Sequence, residues 1–542
     1  MTGRLWGAWW LAAIGATLCS SATHDLEGRV VSAQTGDPVA RARVLLRSYQ
    51  QGQAVEVSLL SDADGTFHVA NVPEGGYQIS CTKAGYLPAY EGINVASTGD
   101  AKPAPVVVRL TSQVVIEGTL VDDQGAPVAQ ANVQVVRQAV VNGRRQFQWA
   151  AGDNTDETGA FRVFGMPAGR YFVCVVANVT GVRRAKHLAY PVWFYPNATD
   201  VAGAQGFDLQ AGQDQPIQMR LPPPLPAREI RGQVVNPGRY ANLQLTPSFS
   251  TNAFNISPAY ATSFDAKTGT FKISGVTAGV YNLEASTQAE NQRLRASTVV
   301  TVGSTDVTGI RLEPVDVVLS GNVRVEGDAP PAPQLRMGAS PGPARLATFI
   351  SIQSSHATAG IPVDNDGNFH LHGPLPDTYR VIVQSPNNVC AKSILQGSRD
   401  ALHAGAVIPS DGQPEPLDVL LTSHCGTIEG TVMLPDSDSP TAFTVALLRQ
   451  VGEELVMERQ LGVSIAPRGS RMNGEVGGGA LGTPFSIQGV APGDYFLYAW
   501  AVAAQIEYAD AAYMRQFESA RQAVTVTADS KVTVTIDRVL GN

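Results

Sequence analysis

A five-residue strand motif, apolar-x-Gly-x-apolar, returns five times along the chain and restricts it to a tandem of similar small units. It reads Leu26-Glu-Gly28-Arg-Val30, Ile116-Glu-Gly118-Thr-Leu120, Ile230-Arg-Gly232-Gln-Val234, Leu319-Ser-Gly321-Asn-Val323 and Ile428-Glu-Gly430-Thr-Val432. The copies lie roughly 90 to 115 residues apart, the size of one small β domain. A single core would not extend over all 542 residues, so length and repetition agree on several domains.

Each copy continues in the same way. An Asp- and Gly-bearing hairpin turn leads into a Phe: Ser61 to Phe67, Thr155 to Phe161, Asp265 to Phe271, Asp364 to Phe369, and a looser Gly482-Thr-Pro-Phe485. Glycine supplies positive φ at such turns, and aspartate hydrogen-bonds back to nearby amides. A second turn then precedes a strand led by Tyr77, Tyr171, Tyr281, Tyr379 or Tyr495, as in Val72-Pro-Glu-Gly75-Gly-Tyr77. The modules end in alternating strands such as Val106–Leu110 and Val532–Ile536. With 53 Gly and 35 Pro, the composition supports short strands and many turns, hence an all-β chain of antiparallel β-sandwiches.

The combined pattern, G-x-V, G-x-P-V, A-x-V, D-x-x-G-x-F and V-P-x-G-x-Y, resembles the carboxypeptidase regulatory-like domain. The resemblance implies a prealbumin-like (transthyretin-like), Greek-key sandwich related to Cna B-type and starch-binding-like modules. It is closest in the first two modules and looser in the last three. It implies no peptidase activity, since the family name describes a domain that accompanies a peptidase. Five modules are expected, over 23–112, 113–225, 226–314, 315–423 and 424–542. The second carries an aromatic insert, Tyr190 to Pro196, and the fifth one short helical insert near Asp510 to Arg521 with Tyr513 and Phe517 on one face.

Residues 1–22 read as a secretory signal peptide: Arg4, an apolar run from Leu5 to Leu18, then Ser20, Ser21 and Ala22. Lipidation at Cys19 would require a small residue where Leu18 stands. Export would place the chain in the periplasm, on the cell surface or outside the cell. No later stretch reaches the ~20 apolar residues of a membrane span. The net charge of −8 offers no basic patch for nucleic acid. Cys81 and Cys174 sit in apolar strand runs and read as buried hydrophobes. Cys390 and Cys425 could form a disulfide in an oxidising compartment.

The sequence carries few residues in patterns that chemistry requires. There is no His-Glu-x-x-His zinc signature, no Gly-x-Ser-x-Gly elbow and no phosphate-binding glycine loop, so no enzyme, metal or cofactor is expected. His370 and His372 alternate on one strand without an evident third ligand. Asp62, Asp64, Asp364 and Asp366 mimic calcium-loop spacing, but Pro73 and Leu375 stand where the bidentate acid belongs. The Lys–Asn cross-link of Cna B-type relatives needs a lysine, and the first strands carry Arg29, Thr119, Arg231, Asn322 and Thr431 instead. Trp193 and Tyr195 could stack on a sugar ring or cover their own sandwich, and covering is favoured. The leading expectation is a non-catalytic structural or interaction protein with a protein or cell-envelope glycan partner. The alternative is a carbohydrate-binding protein of the cell envelope.

Overall fold

The computed structural model describes residues 23–48, 56–95, 105–177, 188–237, 243–250, 255–256, 260–289, 292–326, 349–354, 358–364, 366–384, 389–410, 412–433, 442–451, 454–464, 482–502 and 504–541. The proposed signal segment and Cys19 lie outside them. Contacts divide the chain into two compact units. One holds the described residues up to 117 with 162–168 and 209–216; the other holds 118–161, 169–208 and those from 217 onward.

The architecture is a tandem of two-sheet β modules. In the first module, Thr23–Ser32 lies between Thr66–Pro73 and Val106–Leu110. The facing sheet runs Glu56–Leu60, Arg43–Ser48, Gly75–Thr82, Ala89–Val95. The motif strand takes the same central place in the later modules, as Val114–Val121, Arg228–Val234, Val318–Val325 and Gly426–Val432. It pairs antiparallel with the Phe strand and parallel with the closing strand in the first, third, fourth and fifth modules. Strand alternation alone does not reveal that parallel pair. It arises because the closing strand returns from the opposite sheet rather than through a tight turn.

The repeated residues have repeated jobs. The motif glycine stands directly opposite the Phe in Gly28↔Phe67, Gly232↔Phe271, Gly321↔Phe369 and Gly430↔Phe485. The Phe ring lies over the glycine, so a Cβ on Gly321 would sit 2.3 Å from Phe369 Cζ and 2.4 Å from the Leu417 carbonyl. The hairpin Asp accepts two backbone hydrogens across its turn: Asp62 from Asp64 and Thr66, Asp156 from Thr158 and Ala160, Asp364 from Asp366 and Asn368. The Tyr hydroxyl donates to the carbonyl four residues upstream in Tyr77 to Pro73, Tyr281 to Thr277, Tyr379 to Leu375 and Tyr495 to Ala491. That bond pins the corner before each Tyr strand. Between the sheets, Phe, Tyr, Val, Ile and Leu form one core per module, as with Ile230, Phe271, Ile273, Tyr281 and Leu283 in the third.

Among the described residues, two sheets, one in the second module and one in the fifth, are buried on both faces. In the fifth module, Val445, Leu447 and Leu497 point into the sandwich, while Ala446, Leu448, Tyr498 and Trp500 meet Met514, Ala520 and Leu540 outside it. The helical insert there is a single α turn, Ala511–Met514, capped by Asp510 and continued as a 3₁₀ stretch, Arg515–Ala520. Tyr513 and Phe517 contact edge to face at 5.5 Å. A second one-turn helix, Ala401–Ala404, stands in the fourth module, where only strands are expected from the sequence. Four residues hold too few apolar positions to show a helical period.

Candidate functional site

The second module extends a long hairpin, Asn132–Val141 with Arg144–Asn154. The register closes at Val141↔Arg144, leaving Asn142-Gly143 as a two-residue loop. Both residues have left-handed φ, 51° and 76°, as a type I′ turn requires. The tip is buried against the fifth module. The Gly143 carbonyl accepts from Ala509 N at 3.1 Å, and a Cβ on Gly143 would lie 2.5 Å from the Tyr508 ring. Val140 N donates to Gln505 Oε1 at 2.8 Å, and Asn142 Nδ2 donates to the Ser354 carbonyl of the fourth module at 3.1 Å. Arg144 pairs with Glu454 and Arg145 with Glu507. One hairpin thus ties three modules of the second unit together.

A cavity of about 360 Å³ lies at this junction, lined by residues of the hairpin, of the fourth module around Arg380 and His403, and of the fifth around Tyr508. Arg380 is largely buried. Desolvation holds its pKa below the usual guanidinium range, opposed by Glu458 and the Tyr508 phenol, while the neighbouring Arg449 and Arg459 add to the lowering. Burial raises the Tyr508 phenol, opposed by Arg380. Asp400 caps the Ala401–Ala404 turn through the Leu402 and His403 amides and pairs with the His403 ring at 2.5 Å. The sequence reading missed this junction altogether. Its local signal was the Asn-Gly pair between two alternating runs; that the tip would dock on distant modules had no local signal.

The residues singled out from the sequence lie elsewhere. Trp193 and Phe194 form a short strand paired with Val175 and Cys174. Phe194 is fully buried with Val136, Phe172, Cys174 and Val201. Ile256 of the third module belongs to the same cluster. Tyr195 is half-buried, its ring 5.2 Å from that of Phe207, and Trp193 is half-buried with its indole Nε1 buried. The structure joins Cys390 to Cys425 as a disulfide, with Cα atoms 6.0 Å apart. Cys81 and Cys174 are free and buried, which pushes their thiols up to about 11 and about 12.

His370 is exposed, and His372 Nδ1 lies 3.2 Å from Asp316. His24 and Glu27 do have the His-x-x-Glu spacing of zinc peptidases, which the expectation of no metal overlooked. Three apart on one strand, they point to opposite faces, His24 on the side of Leu26 and Glu27 on the exposed side. Among the described residues no group of three His, Cys, Asp or Glu could hold a metal ion. Glu117 pairs with Arg162 and Glu429 with Lys531, both as exposed ion pairs. Among the described residues no helix is long and apolar enough to cross a membrane.

No curated protein matches the chain. Among solved structures it is similar to the Bacillus anthracis TIE protein, at 13% identity over 54% of this chain and 51% of that one, with a TM-score of 0.17. It thus spans about half of that protein's length. It is also similar to GBS52, the minor pilin of Streptococcus agalactiae, at 13% identity over 38% and 97%, TM-score 0.21. The shaft pilin SpaA of Lactobacillus rhamnosus GG matches at 9% over 38% and 98%, TM-score 0.20. Residues 25–111, the first module almost in full, match the family model of the carboxypeptidase regulatory-like domain, and it is this family that the tandem of prealbumin-like modules resembles.

Proposed function

We propose that the chain is a non-catalytic, exported structural protein that holds β-sandwich surfaces in fixed relation for a protein or cell-envelope partner. Its modules follow the division 23–112, 113–225, 226–314, 315–423 and 424–542. The observation that carries this reading is the docked hairpin: Gly143 under Tyr508, with Arg144 and Arg145 paired to Glu454 and Glu507. A string of independent beads has no use for a buried hairpin tip. The shifted phenols and thiols also support a structural role, because burial in sandwich cores is the leading cause of each shift.

Hydrogen exchange on the full chain tests the reading. The Val140 and Ala509 amides should exchange slowly in the wild type and at least tenfold faster in Gly143→Ala, with the strand cores unchanged. Equal, fast exchange in both proteins would refute it. The alternative, a carbohydrate-binding protein using Trp193 and Tyr195, predicts glycan-array binding that is lost in Trp193→Ala. Covering of their own sandwich is favoured by the Trp193–Val175 strand pairing and the Tyr195–Phe207 contact.

A further inference from the structure

The junction cavity holds a positive charge that its surroundings neutralise poorly. Arg380 is paired with Glu458, but at 4.0 Å, beyond a hydrogen bond. The same carboxylate is held at 2.5 Å by Arg449, and Arg459 also bears on Arg380. A second cavity of about 50 Å³, lined by Arg449, Glu458 and Arg459, shares Arg380 and Leu402 with the first. Arg449 is itself nearly buried, and its Nε has no hydrogen-bond partner among the described residues.

The other acids at hand are committed: Glu454 to Arg144, and Asp400 to His403 and the helix cap. Of the charged side chains that line the larger cavity, His403 apart, two are guanidiniums, Arg144 and Arg380, and one is a carboxylate, Glu454. One unit of positive charge remains, which suits a monoanion better than a dianion. A buried guanidinium gains most from a carboxylate that reaches it in a water-poor site. The rest of the lining fixes the body of the ligand. Gln146, Gln353 and Thr378 offer hydrogen bonds of both senses, and Leu455, Met457 and Tyr508 offer apolar surface. The volume falls in the ordinary range for small-molecule sites.

We propose that this cavity binds a compact hydroxylated carboxylate, of the uronic-acid kind, with its carboxylate on Arg380. The ligand is either a free sugar acid or the terminal residue of an acidic glycan. The site depends on the docked hairpin, whose exchange behaviour is measured separately, so a docked but empty junction would sink this proposal alone.

The test is isothermal titration calorimetry of the full chain with galacturonate, galactose, acetate and trigalacturonate. Galacturonate should bind at least tenfold more tightly than galactose or acetate, and Arg380→Gln should remove that preference. Weaker binding of trigalacturonate than of galacturonate would assign a free sugar acid. A trimer that binds as tightly or more tightly would assign the terminal residue of an acidic glycan. Gln146→Glu, on a half-exposed strand residue, places a negative charge in the lining and should weaken galacturonate at least tenfold even where Arg380→Gln fails to fold. No heat with galacturonate, equal binding of galactose, or unchanged affinity in Gln146→Glu would overturn the proposal.

Discussion

At the scale of single residues, the repeats are a set of solved backbone problems. The Tyr281 hydroxyl donates to the Thr277 carbonyl at 2.8 Å and accepts from Thr277 N at 3.1 Å, all of it buried. Removing it strands two backbone groups, so Tyr281→Phe should destabilise the third module by about 1–3 kcal/mol in a urea titration. The turn carboxylates carry a pH signature. Hydrogen bonds hold Asp62, led by the Thr66 hydroxyl, Asp156, led by the Thr158 hydroxyl, and Asp265, led by the Lys267 amide, below the usual carboxylate range. A depressed folded-state pKa stabilises above the unfolded value and is lost as pH falls through the folded one. Thermal melts should therefore be flat near neutrality and fall once the pH drops below about 4, and the Asp62→Asn, Asp156→Asn and Asp265→Asn triple variant should lose part of that acid dependence. The Gly, Asp and Tyr positions were all legible in the sequence because each answers a local constraint. What the motif glycine was for was not, since the Phe that covers it comes from another strand.

At the scale of elements, strand alternation breaks where a second face is covered. The strand Gly169–Val176 is buried at five consecutive positions, Tyr171 to Val175, and Gly493–Ala501 also at five, Leu497 to Ala501. Such continuous apolar runs mean burial on both faces. In both modules an insert covers the second face, the aromatic loop around Phe194 in one and the capped Asp510 turn in the other. Phe194→Ala should cost about 3–5 kcal/mol. Near-ultraviolet circular dichroism and denaturant titration should show the loss in the second module while the first keeps its transition. Beside Phe194, Trp193 pairs with Val175 and Tyr195 rests against Phe207. Which residue would complete that cluster was not readable, because Ile256 lies in the next module.

At the scale of the whole molecule, links between modules decide how the chain behaves. The disulfide Cys390–Cys425 closes a separation of 35 residues, from the start of the strand Cys390–Gln396 to the residue just before the strand Gly426–Val432. In the chain-entropy description such a loop is worth about 3–4 kcal/mol. Reduction should lower the calorimetric transition of the modules that hold these strands and leave that of the first unchanged; an unshifted thermogram would contradict it. The amino-acid sequence by itself determined the all-β class, the recurrence of the motif strand and the turn chemistry, because these depend on neighbours a few residues apart. Tertiary structure alone decided that Gly143 meets Tyr508 and that Arg380 meets Glu458. Those partners are separated by tens to hundreds of residues, and no period or turn signal encodes which surfaces meet once each module has closed its own core.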